Sequence, residues 1–158
     1  MNILVLCTGN SARSILLESI LNHAGRSDIR AYSAGSAPAG KVHEQSLRLL
    51  GELGHDTTGT SSKSWDVFSA PGAPELDIVI TVCDNAAAET CPVWFGVPVQ
   101  THWGVPDSAA AERPDWPTAF QNAYDTLSRR AEAMLALPLA DMDATTLRKE
   151  LDEIGKIL

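Results

Sequence analysis

Positive charge is scarce in this chain. Twelve lysines and arginines stand against 20 aspartates and glutamates in 158 residues, a formal charge of −8. Phosphate backbones and acidic headgroups repel such a surface, which argues against a nucleic-acid or membrane partner. Cysteine is scarce too. Three residues, an odd number, do not fit a secreted disulfide scaffold. Long apolar runs are missing: the stretches Ile3 to Cys7 and Ile78 to Cys83 fall well short of a membrane span. No basic stretch at the N-terminus leads into a long apolar run, so no secretory signal is expected. The expectation is a soluble cytoplasmic protein whose thiols sit in a reducing compartment.

What is present supports one ordinary core. Hydrophobic residues make up 44 % of the chain, too many for disorder. The length fits a single domain over 1–158, with a core over about 1–137 and an extra charged helix over about 144–157. Strands are read at Asn2 to Cys7, Ile29 to Ser33, Leu76 to Cys83 and within Val97 to Trp103. Helices are read from Arg13 to Gly25, His43 to Leu53 (with Leu47, Leu50 and Leu53 inward), Trp116 to Leu137 and Thr145 to Ile154. A short helix is possible around Ser64 to Ser69. Strands alternating with helices predict an α/β fold: a small, doubly wound, four-stranded parallel sheet with helices on both faces and right-handed crossovers.

The first strand runs into Cys7-Thr8-Gly9-Asn10-Ser11-Ala12-Arg13-Ser14, and a helix follows. A turn of this length can point successive backbone N–H groups into one cavity beside a helix N-terminus, which makes an oxyanion cradle. Gly9 permits a positive φ, and Asn10 is the non-glycine residue that tolerates it best. Arg13 can close the cavity with a bidentate fork on a tetrahedral anion. The same donors, with the Ser14 hydroxyl near the sulfur, would favour the thiolate of Cys7 and make it a nucleophile.

This loop resembles the phosphate loop of the low-molecular-weight protein tyrosine phosphatases, and more closely that of the arsenate reductases built on the same fold. The resemblance continues through Tyr32-Ser33-Ala34-Gly35, Thr81-Val82-Cys83-Asp84, Cys91-Pro92 and His102-Trp103-Gly104. The phosphatase loop commonly has a second cysteine where this chain has Ala12 and a proline where it has Ile15; both departures favour the reductase. The thioredoxin-type reductases have a three-cysteine plan, which assigns Cys7, Cys83 and Cys91 to a disulfide relay. Their second pair is usually one residue closer than Cys83 and Cys91. In those enzymes an aspartate donates a proton to the leaving oxygen; the matching residue is Asp107, followed here by Ser108 instead of proline. The resemblance thus implies reduction of arsenate to arsenite, with Cys7 as nucleophile, residues 8–14 and Arg13 holding the oxyanion, and thioredoxin or another thiol (glutaredoxin with glutathione included) as reductant. No bound cofactor is implied.

Two spacings qualify this picture. Cys83 and Cys91 are eight positions apart, about 12 Å if the segment were helical at ~1.5 Å per residue. A disulfide needs Cα atoms roughly 4.4–6.8 Å apart. The segment after Asp84 is therefore expected to be a loop when the two are bonded, while Ala86-Ala87-Ala88 favours helix when they are reduced. The potassium site of some relatives matches at Asn10, Glu18 and Ser33, but its fourth position aligns with Lys63. An ammonium there would pair with Glu18 in place of the ion, so no strong potassium dependence is expected. His43, His55 and His102 have no spacing that suggests a metal, and His102 is expected to pack under the loop beside Trp103. Trp94 and Phe95 read either as a docking patch for a redox partner or as core cover. The competing readings are a phosphotyrosine protein phosphatase, which needs Cys7, Arg13 and Asp107 only, and a non-enzymatic oxyanion-binding or thiol-sensing module.

Overall fold

The computed structural model describes residues 1–84 and 94–158. Among these are four strands and four α-helices, which alternate as far as the third strand; the fourth strand and the last two helices follow. The strands are β1 (Asn2–Cys7), β2 (Arg30–Gly35), β3 (Ile78–Thr81) and β4 (Val99–His102). The helices are α1 (Arg13–His23), α2 (Glu44–Glu52), α3 (Trp116–Leu135) and α4 (Ala144–Ile154). A short 3-10 helix, Trp65–Phe68, precedes β3. The four strands form one parallel sheet in the order β2-β1-β3-β4. The order of elements expected from the sequence is thus present, with strand ends a residue or two away from those read.

Apolar patterning dictates the layers. Ile3, Leu4, Val5 and Leu6 are all fully buried, because β1 is central and covered on both faces. Each such side chain contributes roughly 1.5–3 kcal/mol by leaving water. Ile3, Val5, Ile78 and Ile80 face the apolar sides of the four α-helices. Leu4, Leu6 and Val79 face the other way, onto Phe68 of the 3-10 helix and Leu76, with Trp65, Trp94 and Val97 against them. Trp94 is thus core cover, its ring 6.0 Å from that of Trp65, while Phe95 is 85 % exposed.

Two side-chain assignments need correction. On α2, Leu47 and Leu53 are exposed and Leu49 is buried beside Leu50. His43 caps this helix through its Nδ1, which accepts from the Gln45 N–H at 3.0 Å. With that start, Ser46, Leu49 and Leu50 fall on one face, and Leu47 turns outward. His102 is exposed, its ring beside the loop entrance, where a Cβ on Gly104 would lie 2.6 Å from Nε2, and it is not packed away beneath the loop. Along β4, side chains alternate between faces, so Thr101 and Trp103 point inward and His102 points out. There its Nδ1 lies 2.8 Å from Thr81 Oγ1, its partner across the register.

The strand order places the site. From β1 the chain moves to β2 on one side, then crosses to β3 on the other. The C-terminal end of β1 is therefore the topological switch point, where open α/β sheets leave a crevice for ligands. Cys7 is the last residue of β1.

Candidate active site

The loop after β1 has its outer side tied down. The carbonyl of Cys7 accepts from the Ser36 N–H, that of Thr8 from Ala37, that of Gly9 from Ala39, and that of Ser11 from His43. Ser62 Oγ adds a bond to Gly9 O, and Ser46 Oγ one to Ser11 O. The Ala12 carbonyl starts α1 by accepting from Leu16. In a trans peptide, C=O and N–H point in opposite directions. Carbonyls drawn outward therefore turn the following amides inward, towards a cavity of about 260 Å³ lined by Cys7, residues 8–13, Asp107 and Ala109. No side chain caps the start of α1, so the positive end of its dipole also faces this cavity.

Two backbone features make the curve possible. Asn10 has φ of 45°, the one non-glycine residue in the left-handed region among the described residues. Gly35 ends β2 directly behind the loop. A Cβ there would lie 2.4 Å from Thr8 O and 3.1 Å from Asn10 N. Only glycine fits.

Asn10 also organises the sulfur. Its N–H donates to Cys7 Sγ at 3.2 Å, and its Nδ2 donates to Ser14 Oγ at 2.8 Å. With Ser14 Oγ already accepting, its hydroxyl proton is left for Cys7 Sγ, 3.0 Å away. The Asn10 Oδ1 accepts from the Lys63 N–H at 2.9 Å. Cys7 is a free thiol, 3 % exposed.

Arg13 and Asp107 close the mouth. Arg13 is 4 % exposed, and its Nη1 donates to Val82 O at 3.4 Å and to Val105 O at 3.2 Å. Its Nη2 lies 3.7 Å from Asp107 Oδ1. Asp107 caps the turn Ser108–Ala110 by accepting from the Ala109 N–H at 3.1 Å. Ser108, which follows it, is buried, and its hydroxyl donates to Ala119 O at 3.3 Å. That bond anchors the loop to α3.

Cys83 lies two residues beyond β3 and is fully buried. The register pairs Leu6 with Thr81, and the Val82 N–H donates to Leu6 O, so Cys7 and Cys83 follow neighbouring strands at one sheet edge. Cys91, and the helix-to-loop change expected after Asp84, fall outside the described residues.

On the far side of Asn10, Glu18 and Lys63 meet. Lys63 Nζ lies 4.0 Å from Glu18 Oε2 and donates to Ser61 O at 2.9 Å. Burial pushes the Glu18 carboxyl above its ordinary value, against the opposing pull of Ser33, Lys63 and Arg30. Burial pushes the Lys63 ammonium below its own, with Glu18 resisting. Among the described residues, Glu18 Oε2 and Ser33 Oγ have no hydrogen bond of good geometry. The sequence brought Asn10, Glu18, Ser33 and Lys63 together correctly. It missed the contributions of Gly35 and of Asn10 as a three-way junction. The positive φ that Asn10 tolerates was the available signal for the second.

Comparison with known proteins agrees with this geometry. Residues 2–152 match the family described as low molecular weight phosphotyrosine protein phosphatase. The chain is similar to an arsenate reductase of Shouchella clausii, 31 % identical over 128 residues, covering 79 % of this chain and 88 % of the relative. Its fold is similar to that of an arsenate reductase from Archaeoglobus fulgidus (TM-score 0.65, 24 % identity, 82 % of this chain and 98 % of that one). It is also similar to that of a thioredoxin-dependent arsenate reductase of Corynebacterium glutamicum, at TM-score 0.62 and 24 % identity over 85 % of this chain and 59 % of that one. The chain belongs to the low molecular weight phosphotyrosine protein phosphatase family, and the curated proteins it is similar to include arsenate reductases.

Proposed function

We propose that this chain reduces arsenate to arsenite through a cysteine relay. The reading rests above all on the cradle around Cys7 having a second buried cysteine, Cys83, at the adjacent strand end. The cradle alone would serve a phosphatase equally. A second cysteine at the neighbouring strand end is what a disulfide relay adds to it.

Arsenate binds the amides of residues 8–14 and the Arg13 guanidinium. Cys7 sulfur attacks arsenic and forms an S–As bond, and Asp107 protonates the oxygen that leaves as water. The sulfur of Cys83 then attacks Cys7 Sγ. The S–As bond breaks, and its electron pair stays on arsenic, which departs as arsenite. A Cys7–Cys83 disulfide remains. Cys91 attacks Cys83 and frees Cys7, and an external dithiol reduces the Cys83–Cys91 bond. Thioredoxin is the simplest such dithiol; glutaredoxin with glutathione is the other candidate. The relay needs a reducing compartment, so we assign the protein to the cytoplasm. No described helix is long and apolar enough to cross a membrane.

The phosphatase reading keeps support from the matched family. Against it, among the described residues the side chains lining the cavity include no aromatic ring to hold a phosphotyrosine. One assay decides. Arsenate should drive NADPH oxidation when thioredoxin and its reductase are supplied. Cys83→Ser should abolish that and leave aryl-phosphate hydrolysis in place. If neither the thioredoxin nor the glutaredoxin system consumes NADPH on arsenate addition, the reductase reading is wrong.

A further inference from the structure

We propose that Arg130 is a positioning residue for proton delivery by Asp107, acting with α4 as a brace on the loop that carries it. The proposal rests on the reading of Cys7, Arg13 and Asp107 given above. Three consecutive carbonyls lead into that loop, those of Trp103, Gly104 and Val105, and each is held by a buried arginine. Arg13 holds Val105 O from the cavity side. Arg130, 3 % exposed, donates from Nη1 to Trp103 O at 2.9 Å and to Gly104 O at 3.3 Å. Its Nε donates to Ile157 O at 2.9 Å, behind α4.

No carboxylate among the described residues pairs with Arg130. A buried cation satisfied by carbonyls alone carries a desolvation cost without an ion pair to offset it. What the cation secures in return is geometry: one rigid fork fixes the loop entrance and the C-terminal tail together. The tail and α4 grip the same segment in other ways. The Trp103 indole Nε1 donates to Leu151 O at 2.9 Å, and Thr101 Oγ1 donates to Asp152 Oδ1 at 2.7 Å. A Cβ on Gly155 would lie 2.8 Å from both His102 O and Trp103 Cδ1, so helix and strand end are in direct contact. α4 therefore covers β4, an edge strand, at the end that leads through Gly104 to Asp107. The backbone of the cradle is tied elsewhere, to residues 36–46 and to Ser62 and Lys63, while the Arg13 side chain links it to the loop.

Loosening Arg130 should thus move Asp107 and spare the oxyanion site. Arg130→Met is expected to lower turnover about 10–100-fold and to leave phosphate affinity within about twofold. Arg130→Lys, which keeps a donor, should recover part of the loss. The deciding measurement is a double-mutant cycle with Asp107→Asn, run on arsenate reduction and on aryl-phosphate hydrolysis. If Arg130 acts through Asp107, Arg130→Met costs nothing more once Asp107 is Asn. Additive losses overturn the brace, as does an equal fall in phosphate affinity. Should arsenate not be a substrate, the aryl-phosphate cycle still reads the brace, since it uses the same three residues. Amide hydrogen exchange supplies a readout without turnover: residues 104–111 should exchange at least about tenfold faster in Arg130→Met, and residues 8–14 should not change. Unchanged exchange at 104–111 overturns the proposal. If Arg130→Met fails to fold, Trp103→Phe, which removes the indole donor to Leu151 together with part of the buried ring, is put through the same cycle.

Discussion

Asn10 separates two polar regions built on different terms. On one side, the cradle has its carbonyls tied outward and its sulfur held by two donors. On the other, a cavity of about 690 Å³ is walled in part by Glu18 and Lys63, whose charges stand 4.0 Å apart. Their neighbour Ser33 has no well-formed hydrogen bond at its hydroxyl oxygen among the described residues. The first region is preorganised for an incoming anion and loses little on binding it. The second holds a fixed internal cation against a buried carboxylate, and both groups are displaced from their ordinary titration by burial. The lesson is that a loop fixed by backbone hydrogen bonds on one side can rest, on the other, on a partly buried ion pair.

Substitutions should widen or erase this contrast. Cys7→Ser removes the nucleophile from an otherwise intact bowl. Turnover should fall by at least about 10⁴-fold, with phosphate binding by calorimetry changed by less than about threefold. Asp107→Asn, also on the cradle side, should cost about 10²–10³-fold in turnover, measured with arsenate and with an aryl phosphate. Arg13→Lys loses the fork that reaches Val82 O and Val105 O. It should raise KM for arsenate and lower kcat by about 10²-fold together. Across Asn10 the effects shrink. Lys63→Met leaves Glu18 without its counter-charge and should cost about 1–2 kcal/mol in denaturant unfolding. Its activity should fall only a few-fold, because the backbone N–H of residue 63 that holds Asn10 is retained. In the unaltered protein, potassium in place of sodium should not raise activity appreciably, because Lys63 already supplies the positive charge.

The smallest effect is on pH dependence. Glu18 is raised in the folded state, so the folded chain keeps a proton that the unfolded chain has released. Its contribution to stability is full below the ordinary carboxylate value of 4.5 and is lost as pH rises through the raised value. Thermal melts of Glu18→Gln should lack that loss. A pH profile identical to the parent protein's would assign the drop to other groups.

The cradle was legible because its chemistry is local. A buried strand, a glycine, a residue tolerant of positive φ and an arginine stand within eight positions, Cys7 to Ser14, and the fold needs no distant partner to make them converge. The sheet was legible for the same reason, through uninterrupted apolar stretches such as 3–6. Helix α2 was misread because four leucines compete for its inner face, and only the His43 cap fixes the phase. Arg130 left no trace in the sequence: its acceptors are backbone carbonyls 26 and 27 residues away, and any residue type would provide them. His102 was misplaced because an edge strand can turn a ring outward where a central strand could not.

Gly35 carries a last consequence. The missing side chain at that position leaves just enough room for the Thr8 carbonyl, at a spot where even a methyl would sit 2.4 Å away. Under the proposed function, recognition of the anion is therefore set partly from behind, by a residue the ligand never meets. Drift from glycine to alanine at position 35 would blunt oxyanion capture while the sulfur, the guanidinium and the carboxyl all remained in the chain.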